Sequence, residues 1–429
     1  MIEHFDRVSV AGARDSMAEL QPFEFGWFGY FTHSLKSRAT RTREMEYAWS
    51  KALAYGAAMS LETNKKALDS NGRTREIFGL IKRWEDLKLK NSVPAGIREQ
   101  LKAPGKEFAL EGERILPVEY SPEVYGAGAD EWIFDNPYGA QPARFSVDAM
   151  PSLAKFHEAA NVVILDPARP LKMYTEGTGP LGSPARQSEG VRYELKAAGE
   201  DFQVSAVNSG QDPAGWGCAE IILDGGPKDL SGHRALGVWV EGDGSGAVLH
   251  FTLEDSGRWN VRDYYVRLNF KGRRYVEIPE AAKGEVYDFA FPYSNYWPIR
   301  EINYRSIARV YVFLTNIAPG RTVESRFGRV EALKETPLPL VNPTLRINGR
   351  RVVFPVRLET DWYLEYSGAG KARIFDANGF TKAEVAPAGP VPQLRRGANR
   401  IAFEYRGIPA KITANARGQA LEQESEERR

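Results

Sequence analysis

Between residues 191 and 334 the sequence alternates apolar and polar residues, and this period of two limits the possible folds more than any other feature. Short segments rich in Val, Ile, Tyr and Phe follow one another between Gly, Pro, Asn or Asp turns, for example "DFQVSAVN", "ALGVWVE", "AVLHFTLE" and "ARVYVFLT". Alternation puts one face of each strand toward a core and the other toward solvent. Strands at this spacing predict two packed antiparallel sheets, most typically a jelly-roll β-sandwich.

The rest of the chain divides into further segments that differ in residue pattern and composition. Residues 1–95 predict an α/β segment, because apolar runs such as "FEFGWFGYF" and "AAMSLET" flank helical patterns. Residues 96–190 predict an irregular β-rich connector, and the proline-rich residues 335–343 predict an extended linker. Residues 344–413 predict a second, smaller β-sandwich, and the charged residues 414–429 predict a disordered tail. The chain is therefore expected to be multidomain, α/β plus all-β.

The glycine-rich stretch "GDGSG" inside "VWVEGDGSGAVLHF" raises the question of a ligand loop. A phosphate loop opens a helix, whereas the residues that follow here alternate like a strand. An EF-hand would need further oxygen ligands and flanking helices, which the sequence lacks. The prediction is a tight hairpin that joins Val238–Glu241 to Ala247–Glu254, with Asp243 able to touch a metal but no metal required.

Charge and cysteine content narrow the possible partners. The 57 Lys and Arg residues almost balance the 56 Asp and Glu residues, so nucleic acid is not an expected partner. The single cysteine, Cys218, excludes an internal disulfide and cysteine-rich zinc motifs. No apolar run has the length of a membrane span, and the first residues do not read as a signal peptide. No membrane insertion, cofactor or metal is predicted, and no oligomeric state is indicated.

The segment "KDLSGHRALGVWVEGDGSGAVLHFTLED" with "DYYVRLNFKGRRYVEIP" resembles the galactose-binding-like jelly rolls attached to carbohydrate-active enzymes. The resemblance covers residues 200–332 and rests on a Leu-Ser edge, a Gly-Asp-Gly turn and an Asp-Tyr-Tyr strand that runs into a Phe-Gly turn. It implies a polysaccharide or oligosaccharide partner. The chain differs from that pattern at Arg273 and Arg274, where an aromatic residue often follows the turn.

The N-terminal segment resembles the closing strands and helices of a glycoside-hydrolase-like (β/α)₈ barrel, with "FEFGWFGYF" and "MSLET" as late strands. This resemblance implies a catalytic half upstream of Met1. Glycosidases use two carboxyl groups that flank the scissile bond, and carboxyls at barrel strand ends face the pocket. Glu62 and Glu24 are the candidate catalytic residues, with ordinary surface roles as the alternative.

Aromatic and polar residues gather in "SGRWNVRDYYV" and "FPYSNYWPIREINY". Aromatic planes pack on the C–H faces of sugars while polar side chains bind the hydroxyls. Packing in a core is the alternative, and neighbours in a strand point to opposite faces, so Tyr264 and Tyr265 cannot both meet a ligand. The candidate carbohydrate-binding residues are Trp259, Tyr264, Tyr265, Tyr296, Trp297 and Arg300.

Together these features predict a carbohydrate-active protein, the C-terminal portion of a glycoside hydrolase with a polysaccharide-binding jelly roll. The alternative is a non-catalytic adhesion or scaffold protein built from β-sandwich modules. Extracellular or periplasmic localisation is expected if a signal peptide lies upstream of Met1.

Overall fold

The computed structural model describes residues 24–33, 38–121, 124–126, 130–175, 186–257, 260–279, 302–406 and 410–422. The chain forms two compact units. The first unit comprises Met1–Ser152 and Pro337–Arg429, and the second comprises Leu153–Thr336. The second unit is therefore an insertion into the sequence of the first. Among the helices of the described residues, none has the length and apolar content needed to cross a bilayer.

The first unit begins with a small α/β segment. Its elements are β1 (Glu24–Gly29), α1 (Thr42–Tyr55), β2 (Ala58–Glu62), α2 (Lys65–Asp69), α3 (Thr74–Leu89) and α4 (Ala95–Leu101). β1 and β2 pair in parallel on either side of α1, which makes one β-α-β unit. α1 ends at Gly56, whose φ of +63° lets its N–H reach the last carbonyls of the helix.

The prediction of a partial (β/α)₈ barrel is not confirmed, because the sheet that contains β1 has two strands within the described residues. The apolar faces of the helices pack instead into a core that also includes Phe108, Leu110 and Ile115 from the two strands after α4. Met45, Trp49, Ile77, Trp84 and Leu101 are all buried in it. This core accounts for the helical spacing in the sequence without a barrel.

A two-sheet β-sandwich completes the first unit. Its strands before the insertion are β3 (Glu107–Glu111), β4 (Arg114–Tyr120), β5 (Val124–Gly126), β6 (Asp130–Asn136), β7 (Gln141–Pro142) and β8 (Arg144–Ala149). Strands β9 to β20 belong to the sheets of the insertion described below. The strands of the first unit's sandwich that follow the insertion are β21 (Leu340–Ile347), β22 (Arg350–Val353), β23 (Arg357–Leu358), β24 (Tyr363–Tyr366), β25 (Ala372–Phe375), β26 (Thr381–Val385), β27 (Gln393–Leu394), β28 (Gly397–Arg406) and β29 (Ala410–Arg417).

The two sheets of this sandwich combine strands from both sides of the insertion. One has the order β22-β21-β28-β6, with β23 beside β21, and the other has the order β26-β25-β24-β8-β29-β4-β3, with β5 beside β29. In their shared core the Phe145 ring lies 5.4 Å from the rings of Phe354 and Tyr366. Residues 96–152 of the predicted connector 96–190 and the sandwich predicted over 344–413 are thus parts of one unit, and residues 153–190 belong to the other.

The predicted linker and tail also differ from the structure. Leu340, inside the predicted linker 335–343, is fully buried and pairs with Leu358 as part of β21. Within the predicted tail 414–429, β29 continues to Arg417, and the Leu421 N–H donates to the Ile115 carbonyl. In both segments, therefore, a strand or a backbone contact forms around a few apolar residues although the surrounding composition is polar or rich in proline.

The second unit is an antiparallel β-sandwich, which confirms the main prediction from the alternating sequence. Its strands are β9 (Ser152–Leu153), β10 (Val162–Leu165), β11 (Lys172–Tyr174), β12 (Val191–Ala198), β13 (Asp201–Asn208), β14 (Gly215–Ile222), β15 (His233–Asp243), β16 (Val248–Asp255), β17 (Val261–Arg267), β18 (Lys271–Pro279), β19 (Ile307–Ile317) and β20 (Thr322–Thr336). A single 3₁₀ turn, Tyr304–Ser306, precedes β19.

The seven-stranded sheet has the order β12-β13-β20-β15-β18, with β9 and β10 beside β20. The five-stranded sheet has the order β11-β14-β19-β16-β17. Alternate residues of both sheets fill one core, in which Val238, Phe251, Val312 and Phe327 are all fully buried. The core includes Ile164 and Leu165 of β10, so the sandwich begins before the predicted residue 191.

The "GDGSG" turn does not form the predicted hairpin. β15 pairs with β18 and β20 in one sheet, whereas β16 pairs with β17 and β19 in the other, so the turn carries the chain between sheets. Gly244 and Gly246 have φ of +78° and +79°, which glycine adopts without strain. Both carboxylate oxygens of Asp243 accept backbone hydrogen bonds, from Ser245 and Glu324. The Asp243 carboxylate therefore stabilises the turn through these two hydrogen bonds.

Candidate functional site

The outer face of the seven-stranded sheet carries an exposed tryptophan. Trp239 lies between Val238 and Val240, which both point into the core, so alternation directs its indole outward. The side chain is 41% exposed, and it is the one exposed tryptophan among those whose side chains the structure describes. A large planar surface left in water is the kind of feature that marks a binding surface.

Two further rings extend this surface across the sheet. Tyr275 lies opposite Trp239 on β18, with the ring centroids 5.7 Å apart, and the centroid of the Phe156 ring lies 5.4 Å from that of Tyr275. We call these three residues the aromatic ledge. A Cβ on Gly237 would lie only 2.7 Å from the Tyr275 hydroxyl, so this glycine leaves the space that the tyrosine occupies. Burial raises the pKa of the Tyr275 phenol further above its ordinary value, and Glu277 adds to the shift.

A buried carboxylate holds the loop that brings Phe156 to the ledge. Glu331, which is 2% exposed, accepts from the His157 backbone N–H at 2.8 Å and from the Asn161 side chain at 3.1 Å. Its other oxygen lies 3.0 Å from His157 Nδ1. His157 has a φ of +70°, which histidine tolerates better than most residues. These contacts fix a conformation that a free loop would rarely adopt.

Polar groups flank the Trp239 ring on the side of β20. Arg273 donates to both carboxylate oxygens of Asp201, at 2.8 and 3.0 Å. This hydrogen bonding raises the pKa of the Arg273 guanidinium above its ordinary value. A Cβ on Gly328 would lie 3.4 Å from Asp201 Oδ1, 3.5 Å from Arg273 Nη2 and 3.9 Å from Trp239 Cβ. The ion pair and the base of the indole therefore converge over a residue that has no side chain.

This arrangement joins an aromatic surface to hydrogen-bonding groups at its border; the Tyr275 ring is tilted by 50° to Trp239 and by 55° to Phe156. The C–H face of a sugar ring can lie on the indole, and hydroxyls at the edge of the ring can bind the guanidinium or the carboxylate. The rings are held by packing before any ligand arrives, so little conformational freedom is lost on binding. Within the described residues no group of His, Cys, Asp or Glu is arranged to hold a metal ion.

The structure places the side chains of the two predicted tyrosines on opposite faces of β17. Tyr264 is 1% exposed and lies in the sandwich core, so it cannot contact a ligand. Tyr265 points to the opposite face and is half-buried, and its hydroxyl donates to Asp263 at 3.3 Å. The predicted residues Trp259, Tyr296, Trp297 and Arg300 lie outside the described residues.

Tyr265 adjoins a buried polar cluster on the outer face of the five-stranded sheet. Thr252 donates to Asp263 at 2.7 Å, and His250 Nε2 lies 2.9 Å from the same carboxylate oxygen. The His250 ring stacks on Phe313, with centroids 4.7 Å apart, and meets the Tyr265 ring edge-on at 4.5 Å. These contacts fix the position of Tyr265 at the border of the sheet.

The predicted catalytic residues are not brought together. Glu24 begins β1 opposite Ala58, and Glu62 ends β2 opposite Gly29. The distance along the strand from Ala58 to Glu62 is about 13 Å. Glycosidase carboxyls are about 5 to 9.5 Å apart. Both glutamates are exposed.

None of the three ledge residues is among the site residues predicted from the sequence. The signal for Trp239 was present, because a tryptophan between two inward-facing valines in a strand must point outward. No comparable signal exists for Phe156, whose place depends on the contacts of a loop distant in sequence.

No protein-family model matches the chain, and no curated protein matches its sequence. Among solved structures, the chain is similar to the family 11 carbohydrate-binding module from Clostridium thermocellum in complex with a β-1,3-1,4-mixed-linked tetrasaccharide. The identity is 13%, the match covers 41% of this chain and 96% of that chain, and the TM-score is 0.27.

Two further similarities have comparable values. The family 30 carbohydrate-binding module of a cellulosomal cellulase of Clostridium thermocellum is 14% identical over 43% of this chain and 95% of that chain, with a TM-score of 0.21. An exo-β-agarase is 11% identical over 36% of this chain and 24% of that chain, with a TM-score of 0.23. At these values the matches carry no argument about function, which rests on the chain's own residues.

Proposed function

We propose that the chain binds polysaccharide through the aromatic ledge of its inserted β-sandwich. The observation that carries this proposal is the exposed Trp239, in line with Tyr275 and beside the Arg273–Asp201 pair. An apolar plane bordered by charged hydrogen-bonding groups suits a sugar, which presents C–H bonds on its faces and hydroxyls at its edge.

The proposed ligand is a chain rather than a single sugar. The three rings of the ledge come from β15, β18 and the loop before β10, and Tyr275 lies 5.7 Å from Trp239 and 5.4 Å from Phe156 between ring centroids. The ledge lies on a sheet face rather than in a closed pocket, so successive residues of one polysaccharide can lie along it. Because successive sugars of a polysaccharide are covalently linked, the contacts that each sugar makes add to the affinity of the whole polysaccharide.

We do not assign hydrolysis to the described residues, because Glu24 and Glu62 lie at opposite ends of their two strands. The glycosidase interpretation would need a pair of carboxyls at catalytic separation. Beside Trp239, both oxygens of the Asp201 carboxylate are already held by Arg273. Binding without cleavage is the function that these residues suit.

Affinity electrophoresis of the full chain tests the proposal. The protein is run through gels that contain neutral soluble polysaccharides, such as mixed-linkage glucan, xylan, galactan and mannan. We expect at least one of them to retard the wild type, and Trp239→Ala to lose that retardation while Tyr174→Ala keeps it. Tyr174 is a matched control because it is 40% exposed and lies in the other sheet, on β11. If none retards the chain, the scaffold alternative is favoured.

A further inference from the structure

A second surface feature of the inserted sandwich is a cleft between the edge strands of its two sheets. β17 ends the five-stranded sheet and β18 ends the seven-stranded one. The cleft between them has a volume of about 280 Å³. This volume is just below the usual range of about 300–1,000 Å³ for small-molecule sites, so it suits one sugar residue. We call it the edge cleft.

The edge cleft and the aromatic ledge use opposite faces of β18. Tyr275 belongs to the outer face, whereas Val276 and Ile278 pack against the sandwich core. Arg274 shares the face of Val276 because residues two apart in a strand point the same way. The polar and aromatic residues that line the cleft are Tyr265, Arg267, Asn269, Phe270, Arg274 and Glu277.

Charge distinguishes the two faces. Arg273 is bound by the Asp201 carboxylate on the outer face. Arg274 forms no ion pair with a carboxylate in the described part of the chain, and its guanidinium lies 4.7 Å from the centroid of the Phe270 ring. Glu277 borders the cleft, but alternation places its carboxylate on the outer face, opposite Gly237. A guanidinium that rests on an aromatic ring and meets no carboxylate can receive an anion from solvent.

The remaining lining residues suit a sugar rather than a bare anion. The Phe270 ring supplies aromatic surface at the cleft, whereas the Tyr265 ring points to the outer face of the five-stranded sheet, toward Asp263 and His250. The Asn269 side chain makes no hydrogen bond within the part of the chain that the structure describes, so both its amide groups can serve hydroxyls. An inorganic ion would make no use of the Phe270 ring.

We propose that the edge cleft binds an anionic sugar residue, with its carboxylate or sulfate group at Arg274 and its ring against Phe270. Arginine matches the planar carboxylate and the sulfate oxygens through paired N–H donors. The cleft is separate from the ledge, so the two proposals can fail independently. An acidic side group or chain end would enter the cleft while a polysaccharide backbone lies on the ledge.

Isothermal titration calorimetry of the full chain tests the cleft, with a short oligogalacturonate, a sulfated carrageenan oligosaccharide and a neutral cello-oligosaccharide as probes. We expect at least one acidic probe to bind more tightly than the neutral one. Arg274→Ala should weaken that binding about 10- to 100-fold, the usual effect of losing a charged hydrogen bond. Arg274→Lys should keep part of the affinity, and added salt should weaken binding in the wild type.

Two control variants show whether the acidic probe binds at the cleft or elsewhere on the chain. Arg192→Ala removes an exposed arginine at the opposite edge of the same sheet and should change nothing. Trp239→Ala should leave the affinity for the short acidic probe unchanged. Equal affinity for acidic and neutral probes, or full affinity in Arg274→Ala, overturns the inference. Inorganic sulfate that binds as tightly as the sulfated oligosaccharide would show an anion site without sugar recognition and would overturn it as well.

Discussion

Trp239→Ala is the substitution that bears most directly on the aromatic ledge. The side chain is 41% exposed. For a tryptophan of about 250 Å² this corresponds to about 100 Å² of apolar surface. A sugar ring on one face covers about half of that surface, and a chain that also contacts its edge covers nearly all of it. At about 25 cal/mol per Å², the binding free energy lost on truncation is about 1.3 to 2.5 kcal/mol.

This free energy corresponds to a dissociation constant about 10- to 70-fold higher. Trp239→Phe keeps a smaller ring in the same place and should lose only part of the affinity. Isothermal titration calorimetry with the polysaccharide that retards the wild type measures both effects. Tyr174→Ala removes a similarly exposed ring from the other sheet and serves as the control.

Stability should change little in Trp239→Ala, because the side chain lies outside the core. A urea unfolding curve close to that of the wild type would therefore accompany the loss of binding. Unchanged affinity in Trp239→Ala would refute the reasoning, and so would an equal loss in Tyr174→Ala.

Three further substitutions test other parts of the structure. Gly237→Ala places a Cβ within 2.7 Å of the Tyr275 hydroxyl and should weaken polysaccharide binding about 2- to 10-fold in calorimetry. Phe354→Ala should cost about 3–5 kcal/mol in urea unfolding, since this ring packs on Phe145 across the insertion; a cost below about 1 kcal/mol would contradict the shared core. Burial raises the pKa of Glu46 from 4.5 to about 7, so the folded state keeps a proton that the unfolded chain releases, and stability falls as pH rises from 4.5 to 7. Glu46→Gln should remove this slope and gain about 2–3 kcal/mol above pH 7, as measured by urea unfolding at pH 5 and pH 8.

Local patterns predicted the elements of this chain better than their pairing. Alternation around Val238 and Val240 indicates a strand with one buried face, and the spacing of Met45 and Trp49 indicates a helix. Neither pattern says which strand lies next door. The "GDGSG" turn shows the difficulty, because a turn between two strands looks the same whether they pair with each other or lie in different sheets.

The shared sandwich of the first unit could not be predicted for a related reason. Its core joins Phe145 to Phe354, residues that are separated in sequence by the whole inserted domain. Periodicity is a local property and carries no information about such long-range contacts. The domain boundaries were predicted from changes in residue pattern, and they therefore divided one sandwich between a connector and a separate module.

Only part of the candidate site could be predicted from the sequence. The outward position of Trp239 follows from its two neighbours in sequence, and the inward position of one tyrosine in "DYYV" follows from the same rule. The place of Phe156 depends on Glu331, and the pairing of Arg273 depends on Asp201 across the sheet. Contacts of this kind are set by the tertiary fold.

Nuclear magnetic resonance of the tryptophan indoles tests the central claim most directly. The Trp239 Nε1–H signal is assigned by its absence from the spectrum of Trp239→Phe, and the full chain is then titrated with fragments of the polysaccharide that retards it. Binding at the aromatic ledge predicts that this signal shifts progressively and saturates at the dissociation constant found by calorimetry. A Trp239 signal that stays in place while the polysaccharide binds would contradict the account.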